Sequence, residues 1–140
     1  MNLNELLVKS GKMSHEERVA DATSNVADLR AELKGEGYRE KDINEILLLL
    51  TRLAVDSDNY ASEEEYEIFD KAVGLNLPLN EFLVLVKRGN EEDFFKIIND
   101  TVDALSPKAK ALAIDYVVDF LVSDKKLKDE ERNILLRLAA

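Results

Sequence analysis

The chain has 140 residues, of which 29 are acidic and 19 basic; its formal net charge of −10 repels nucleic acid and anionic lipid and favours a cation or a basic protein surface. It has no cysteine, which excludes disulfides and thiolate metal sites, and its longest apolar runs, such as Ile46 to Leu50, are far shorter than the roughly 18 residues of a membrane span. We therefore expect a soluble, cytoplasmic protein with a single domain over residues 1–140.

Apolar residues recur at three- and four-residue steps along nearly the whole chain, which is the spacing of one helix face. Residues 1–12 are predicted to form a short N-terminal segment that docks on the bundle or on a neighbouring chain. The helices predicted after it cover 14–34, 40–56, 62–73 and 78–87, then one capped by Asn90, one begun by Ser106 and Pro107 that runs through Leu121, and 129–139. The predicted fold class is all-α, a single compact bundle of about seven helices.

Capping residues mark several of these helix ends. Ser14 and Glu17 have the spacing of a capping box, in which each side chain bonds the other residue's backbone N–H. Ser62 and Glu65 repeat this spacing at the start of a later helix. Gly74 ends that helix, because glycine readily takes the left-handed conformation of a helix C-terminus.

A short acidic pattern occurs twice, each time at the junction between two predicted helices. Residues 54–69 and 120–135 align at an offset of 66 residues. Identical residues occur at the aligned pairs Ser57/Ser123, Asp58/Asp124, Glu64/Glu130, Glu65/Glu131 and Ile68/Ile134. The pattern predicts that the bundle contains an internally duplicated helix-loop-helix unit.

The first copy of this pattern gathers enough carboxylates for a cation site. Hard divalent cations such as Ca²⁺ and Mg²⁺ need several oxygen ligands that converge. Five acidic side chains lie at a helix end, a loop and the next helix start: Asp56, Asp58, Glu63, Glu64 and Glu67. The pattern is not an EF-hand, because Tyr60 and Ala61 stand where that loop needs a ligand and a glycine.

A purely structural explanation competes with the metal site. Acidic residues in the first turn of a helix stabilise it by about 0.3–1 kcal/mol each through the helix dipole. Glu63, Glu64 and Glu130 therefore need no ligand to explain them. Asp58 and Asp124 precede the helix caps, where aspartate commonly bonds its own loop backbone.

The paired pattern resembles the TerB-like domain of tellurite-resistance and stress-associated proteins. The resemblance covers residues 40–139, where an apolar helix ends in a small residue plus Asp and a Glu-Glu pair opens the next helix. Members of that family are all-helical. The resemblance implies divalent-metal ligands in both copies: Asp58, Glu64 and Glu65 in the first, and Asp124, Glu130 and Glu131 in the second.

The two copies depart from the family pattern to different degrees. The glycine that usually follows the aspartate is Asn59 in the first copy, which tolerates the left-handed conformation, and Lys125 in the second, which tolerates it poorly. Lys126 and Lys128 add positive charge that would oppose a bound cation. If a divalent cation binds, Ca²⁺ or Mg²⁺, the first copy is therefore the better candidate, and the second-copy acids are the weaker ligands.

The residues needed for catalysis are otherwise missing from the sequence. The only histidine, His15, lies in a predicted first helix turn, where we expect it to be solvated and without a nucleophile to activate. We therefore expect a non-enzymatic TerB-like interaction or adaptor module that binds a protein partner or forms a homodimer. The alternatives are a metal-dependent hydrolase that uses the same carboxylates and an acidic protein that binds a basic partner. Any link to tellurite or stress follows from the resemblance alone.

Overall fold

The computed structural model describes residues 2–55, 62–121 and 127–140. Over these residues the protein is an all-α bundle of eight helices without strands, which confirms the all-α bundle of the prediction. The helices are α1 (Leu3–Gly11), α2 (His15–Gly35), α3 (Glu40–Val55), α4 (Glu63–Val73), α5 (Leu79–Leu85), α6 (Glu91–Ala104), α7 (Pro107–Val118) and α8 (Asp129–Ala139). None of the eight described helices is long and apolar enough to cross a membrane.

The N-terminal segment forms α1, which adds an eighth helix to the seven predicted after residue 12. It docks on the bundle itself, since Leu3 and Leu6 are buried in the common core. The Ser10 hydroxyl donates to the backbone carbonyl of Val118 (2.8 Å) and lies 3.2 Å from the carbonyl oxygen of Leu121. These bonds fix α1 over the end of α7.

α2 packs against both α4 and α7. Its buried face follows the predicted helical spacing: Ala22, Val26, Leu29 and Leu33. The predicted capping box is present, because Ser14 Oγ accepts the Glu17 N–H (3.1 Å) and Glu17 Oε1 accepts the Ser14 N–H (3.0 Å). As a common packing partner, α2 fixes the positions of α4 and α7 relative to each other.

α7 ends earlier than its apolar spacing predicts. The helix stops at Val118 and does not continue through Leu121. The N–H groups of residues 119–121 donate instead to carbonyls three positions back, which tightens the backbone into turns. The Val118 carbonyl accepts both the Leu121 N–H and the Ser10 hydroxyl, so α1 contacts the bundle at this turn.

α4 and α8 have equal lengths and corresponding starts. Each contains eleven residues, and α8 begins 66 positions after α4. Ser62 and Lys128 are their N-cap residues, and Glu65 and Glu131 occupy the third helical position. We call residues 62–67 the first helix start and residues 128–133 the second helix start.

Candidate functional site

The predicted cation ligands lie partly outside the described residues. Asp56, Asp58 and Asp124 are among the residues that the structure does not describe. The remaining predicted ligands lie near the starts of α4 and α8: Glu63, Glu64, Glu65 and Glu67 on α4, and Glu130 and Glu131 on α8.

A complete capping box holds the first helix start. Ser62 Oγ accepts the Glu65 backbone N–H (3.1 Å), and Glu65 Oε1 accepts the Ser62 backbone N–H (2.9 Å). These bonds satisfy amides that a helix cannot pair within its first turn. Glu65 is thus held against the helix, whereas Glu63, Glu64 and Glu67 are exposed to solvent.

His15 is not the solvated residue that the sequence predicts. Its Nε2 lies 2.8 Å from Glu67 Oε2, and its Nδ1 lies 4.0 Å from Glu64 Oε2. The side chain is only 29 % exposed and links the start of α2 to the first turns of α4. The capping spacing around residue 14 is local and contains no information about this distant contact.

The second helix start has only half of a capping box. Glu131 Oε1 accepts the Lys128 backbone N–H (2.6 Å). The Lys128 ammonium has no acceptor and cannot return a bond to the helix amides. Its Nζ lies instead 2.7 Å from both carboxylate oxygens of Glu91, at the start of α6, and this contact lowers the pKa of Glu91.

The second oxygen of Glu131 contacts a buried guanidinium. Arg88 Nη2 lies 2.6 Å from Glu131 Oε2, and the two side chains are 1 % and 0 % exposed. Arg88 Nε also donates to the Arg52 carbonyl (3.1 Å), and its Nη2 donates to the Leu53 carbonyl (2.7 Å). The guanidinium therefore joins the start of α8 to the end of α3.

Aromatic rings and a further carboxylate complete the surroundings of Arg88. Its guanidinium carbon lies 5.0 Å from the ring centroid of Phe94 and 5.5 Å from that of Phe95. Glu91 Oε2 lies 3.5 Å from Arg88 Nη1. Ring faces attract cations, and a buried pair of ions needs such additional contacts to offset the loss of water.

Another carboxyl group is buried at the end of α7. Asp119 is 2 % exposed, and Asn25 Nδ2 donates to both Asp119 Oδ2 and Asp21 Oδ2, each at 3.1 Å. Burial raises the pKa of Asp119 to about 9, and hydrogen bonding to Asp21 and the nearby charge of Asp115 add to the rise. Asp119 is therefore protonated at neutral pH, in contrast to the ion-paired Glu131.

The described carboxylates do not converge on a metal position. Within the part of the chain that the structure describes, no three Asp, Glu, His or Cys side chains are arranged to hold a metal ion. Both oxygens of Glu131 are engaged, so a cation there would have to displace the Arg88 guanidinium. The metal site predicted around Asp56 and Asp58 lies mainly outside the described residues and stays a prediction.

Comparisons of the chain with known protein families, with curated proteins and with solved structures found no match. The TerB-like resemblance therefore depends on the paired acidic pattern alone.

Arg88 is the main residue of this region that sequence reasoning does not identify. It follows a short predicted helix and has no periodic relation to other polar residues. Its partner does carry a signal, because Glu131 lies three, four and seven positions before Ile134, Leu135 and Leu138, on the buried face of α8. A glutamate on that face requires a buried donor or cation.

Proposed function

We propose that the protein is a non-enzymatic helical interaction module of the TerB-like kind, which binds a protein partner through apolar side chains around α5. The main supporting observation is Val84, which is 69 % exposed on a seven-residue helix. Leu83 beside it and Leu75 in the preceding loop are also exposed. Exposed apolar surface is unfavourable in water, and contact with a partner removes it from water.

The charge of the chain indicates the partner's chemistry. The net charge is −10, and Glu81 on α5 lies close in sequence to the exposed apolar residues. A partner with an apolar centre surrounded by basic groups complements both properties. The proposal thereby includes the alternative of an acidic protein that binds a basic partner.

Site-specific crosslinking tests this interface. A photo-crosslinking residue replaces Val84 in the full chain, and the same residue replaces the exposed Glu92 on α6 as a matched control. We expect a discrete crosslinked species from position 84 and none from position 92. A species of twice the chain mass would identify a homodimer, and any other discrete mass a different protein. No species from position 84, or equal yields at both positions, would contradict the proposal.

The proposal also places a weak divalent-cation site at the first helix start. Glu63, Glu64 and Glu67 are exposed there, whereas Glu131 at the second helix start is buried against Arg88. A cation that binds Glu67 must compete with the His15 ring, which lies 2.8 Å away. Binding should therefore change the surroundings of His15.

This competition makes His15 a reporter of cation binding. It is the only histidine in the chain, so its ring signals are resolved in an NMR spectrum. We expect Ca²⁺ or Mg²⁺ to shift these signals in the wild type, Asp58→Asn to abolish the response, and the aligned substitution Asp124→Asn to preserve it. Ring signals that stay unchanged at millimolar cation, together with no heat in a calorimetric titration, would rule out the site.

We further infer that α3–α4 and α7–α8 are duplicated units. The equal lengths of α4 and α8, their offset of 66 positions and the glutamate at the third position of each support this inference. Superposition of the two helix pairs tests it, and unrelated crossing angles would refute it.

A further inference from the structure

A cavity of about 390 Å³ lies between the C-terminal half of α2 and the start of α3. Three basic, one acidic and three uncharged residues line it: Arg30, Lys34 and Arg39; Glu40; Ala31, Tyr38 and Ile43. Cavities that bind small molecules typically measure about 300–1,000 Å³. This cavity is therefore large enough for a small organic ligand.

The cavity has the opposite charge to the whole chain. Its three cations and one carboxylate carry a formal charge of +2, on a protein of net charge −10. Among the described residues, none of Arg30, Lys34 and Arg39 has a carboxylate within ion-pair distance. Unpaired cations around a concave surface raise the local concentration of anions.

Two acidic residues at the C-terminal end of α2, Glu32 and the C-cap residue Glu36, form contacts elsewhere. Glu36 Oε2 accepts the Ser106 hydroxyl (2.6 Å), and Glu32 Oε1 lies 3.1 Å from Lys108 Nζ. Ser106 and Lys108 belong to the start of α7, so these contacts hold both carboxylates toward α7. The basic side chains of the cavity therefore keep their charge for another anion.

Arg30 is already fixed in position. Its Nη1 donates to Asn44 Oδ1 (2.8 Å), and its Nη2 donates to the Val73 carbonyl (3.1 Å). Both acceptors are neutral, so they orient the guanidinium without compensating its charge. A cation that is oriented before binding loses less conformational entropy when a ligand arrives.

The start of α3 adds further attraction for an anion. The Arg39 carbonyl accepts the Ile43 N–H (2.9 Å), which makes Arg39 the residue that precedes the first helical turn. Arginine has no side-chain acceptor, so it cannot cap the first-turn amides as serine does in α2 and α4. These amides and the positive end of the helix dipole directly follow Arg39 in the chain.

Tyr38 separates the basic cavity from a neighbouring groove of about 380 Å³. The acidic residues of that groove are Asp42, Glu45 and Asp100. They repel an anion, so a negatively charged group is restricted to the basic side of Tyr38. Tyr38, Ala31 and Ile43 provide an apolar wall for the body of the same ligand.

We propose that the cavity between α2 and α3 binds a small organic phosphate ester. The phosphate lies among Arg30, Lys34 and Arg39, and the apolar or aromatic body lies against Tyr38. A phosphate dianion matches the formal charge of +2, and guanidinium groups bind phosphate oxygens in pairs. This site is separate from the interface proposed around α5, so either proposal can fail without the other.

Phenyl phosphate is the probe for the first experiment. The full chain, labelled with ¹⁵N, is titrated at constant ionic strength, with inorganic phosphate and phenol as reference ligands. We expect saturable shifts in the backbone amides of residues 30–43. Phenyl phosphate should bind more tightly than either reference, because it alone offers both the charge and the ring.

Substitutions that each remove one positive charge test where the phosphate group binds. Lys34→Gln and Arg39→Gln each remove one exposed cation from the lining, and each should weaken binding of phenyl phosphate by about tenfold. Lys41→Gln removes an exposed cation that is close in sequence but does not line the cavity. It should change the affinity by less than about twofold.

Four results would overturn the assignment. A titration that does not saturate at millimolar ligand would exclude the site. If Lys41→Gln weakened phenyl phosphate binding as much as Lys34→Gln does, the binding would be general electrostatic attraction. Equal affinity for inorganic phosphate would exclude an organic ligand. A phosphoserine peptide that binds more tightly than phenyl phosphate would assign the cavity to a protein partner.

Discussion

The two helix starts carry the same glutamate at the third helical position and use it differently. At the first, Glu65 completes a capping box with Ser62, close to exposed carboxylates. At the second, Glu131 is fully buried and bound by Arg88. The same local pattern therefore produces a complete capping box in one place, and half of a capping box together with a buried ion pair in the other.

The helices that precede the two helix starts also differ, because one has a buried apolar residue where the other has a buried acid. Leu53, near the end of α3, aligns at the offset of 66 with Asp119, near the end of α7, and both are buried. Leucine needs no polar partner, whereas Asp119 requires Asn25 from α2. The helix cap of the first region is specified by short-range sequence, whereas the buried acids of the second depend on residues supplied by distant helices.

Among the substitutions that test this comparison, removal of the buried Arg88 cation should reduce stability most. Arg88→Met leaves Glu131 buried without its counter-ion and the end of α3 without a donor. We expect the free energy of unfolding to fall by about 3–5 kcal/mol. Urea denaturation followed by circular dichroism measures it.

A double variant shows whether the charge or the packing matters. In Arg88→Met with Glu131→Leu no buried charge is left unpaired, so we expect part of the lost stability to return. A loss below about 1 kcal/mol in the single variant would mean that Glu131 finds another partner, and the contrast between the two helix starts would be small.

The protonated Asp119 should make stability depend on pH. Its pKa rises from 3.8 in the unfolded chain to about 9 in the folded protein, so the folded state retains a proton that the unfolded state releases. Stability should therefore fall as pH rises through the window from about 4 to about 9, by up to about 1.4 kcal/mol per pH unit. Denaturation at several pH values measures the slope.

Asp119→Asn mimics the protonated acid and should remove this part of the pH dependence. The exposed Asp28→Asn on α2 is the matched control and should keep the wild-type slope. If Asp119→Asn and the wild type lose stability in parallel above neutral pH, Asp119 is already ionised and the described contrast with Glu131 is wrong.

Substitution of the two N-cap residues should reduce stability by smaller amounts, which differ between the two helix starts. Ser62→Ala removes a side chain that accepts the Glu65 N–H, and we expect a loss of about 1 kcal/mol. Lys128→Ala, the aligned substitution, keeps the backbone N–H that Glu131 accepts and should cost about 0.5 kcal/mol or less. Thermal and chemical denaturation compare the two. Equal losses would show that the caps are equivalent.

The His15 contact should contribute least. His15→Gln removes a pair whose Glu67 side chain is largely exposed, so we expect a loss below about 1 kcal/mol that diminishes at high salt. A loss larger than that of Ser62→Ala would give His15 a main structural role at the first helix start.

Most of the fold could be predicted because it depends on local spacing. The three- and four-residue periodicity identified each helix after residue 12, and the capping boxes at Ser14 and Ser62 identified two of their starts. The end of α7 at Val118 could not be predicted, since the apolar spacing continues through Phe120 and Leu121, which are also buried.

The candidate site could be predicted less well, for the same reason. The spacing of Glu131 with the apolar residues of α8 indicates its burial, but nothing local identifies Arg88 as its partner. The basic cavity also has no sequence pattern, because Arg30 and Arg39 belong to different elements and meet only through the packing of α2 on α3.

The residues whose hydrogen bonds hold α1 on α7 are synthesised at widely separated times. Ser10 leaves the ribosome before its acceptors in Val118 and Leu121, which follow 108 and 111 residues later. At translation rates of about 5–20 residues per second, roughly 5–20 s pass before both are present. During this interval Leu3 and Leu6 have no completed core to enter, so we expect the nascent chain to expose α1 as an apolar segment accessible to chaperones.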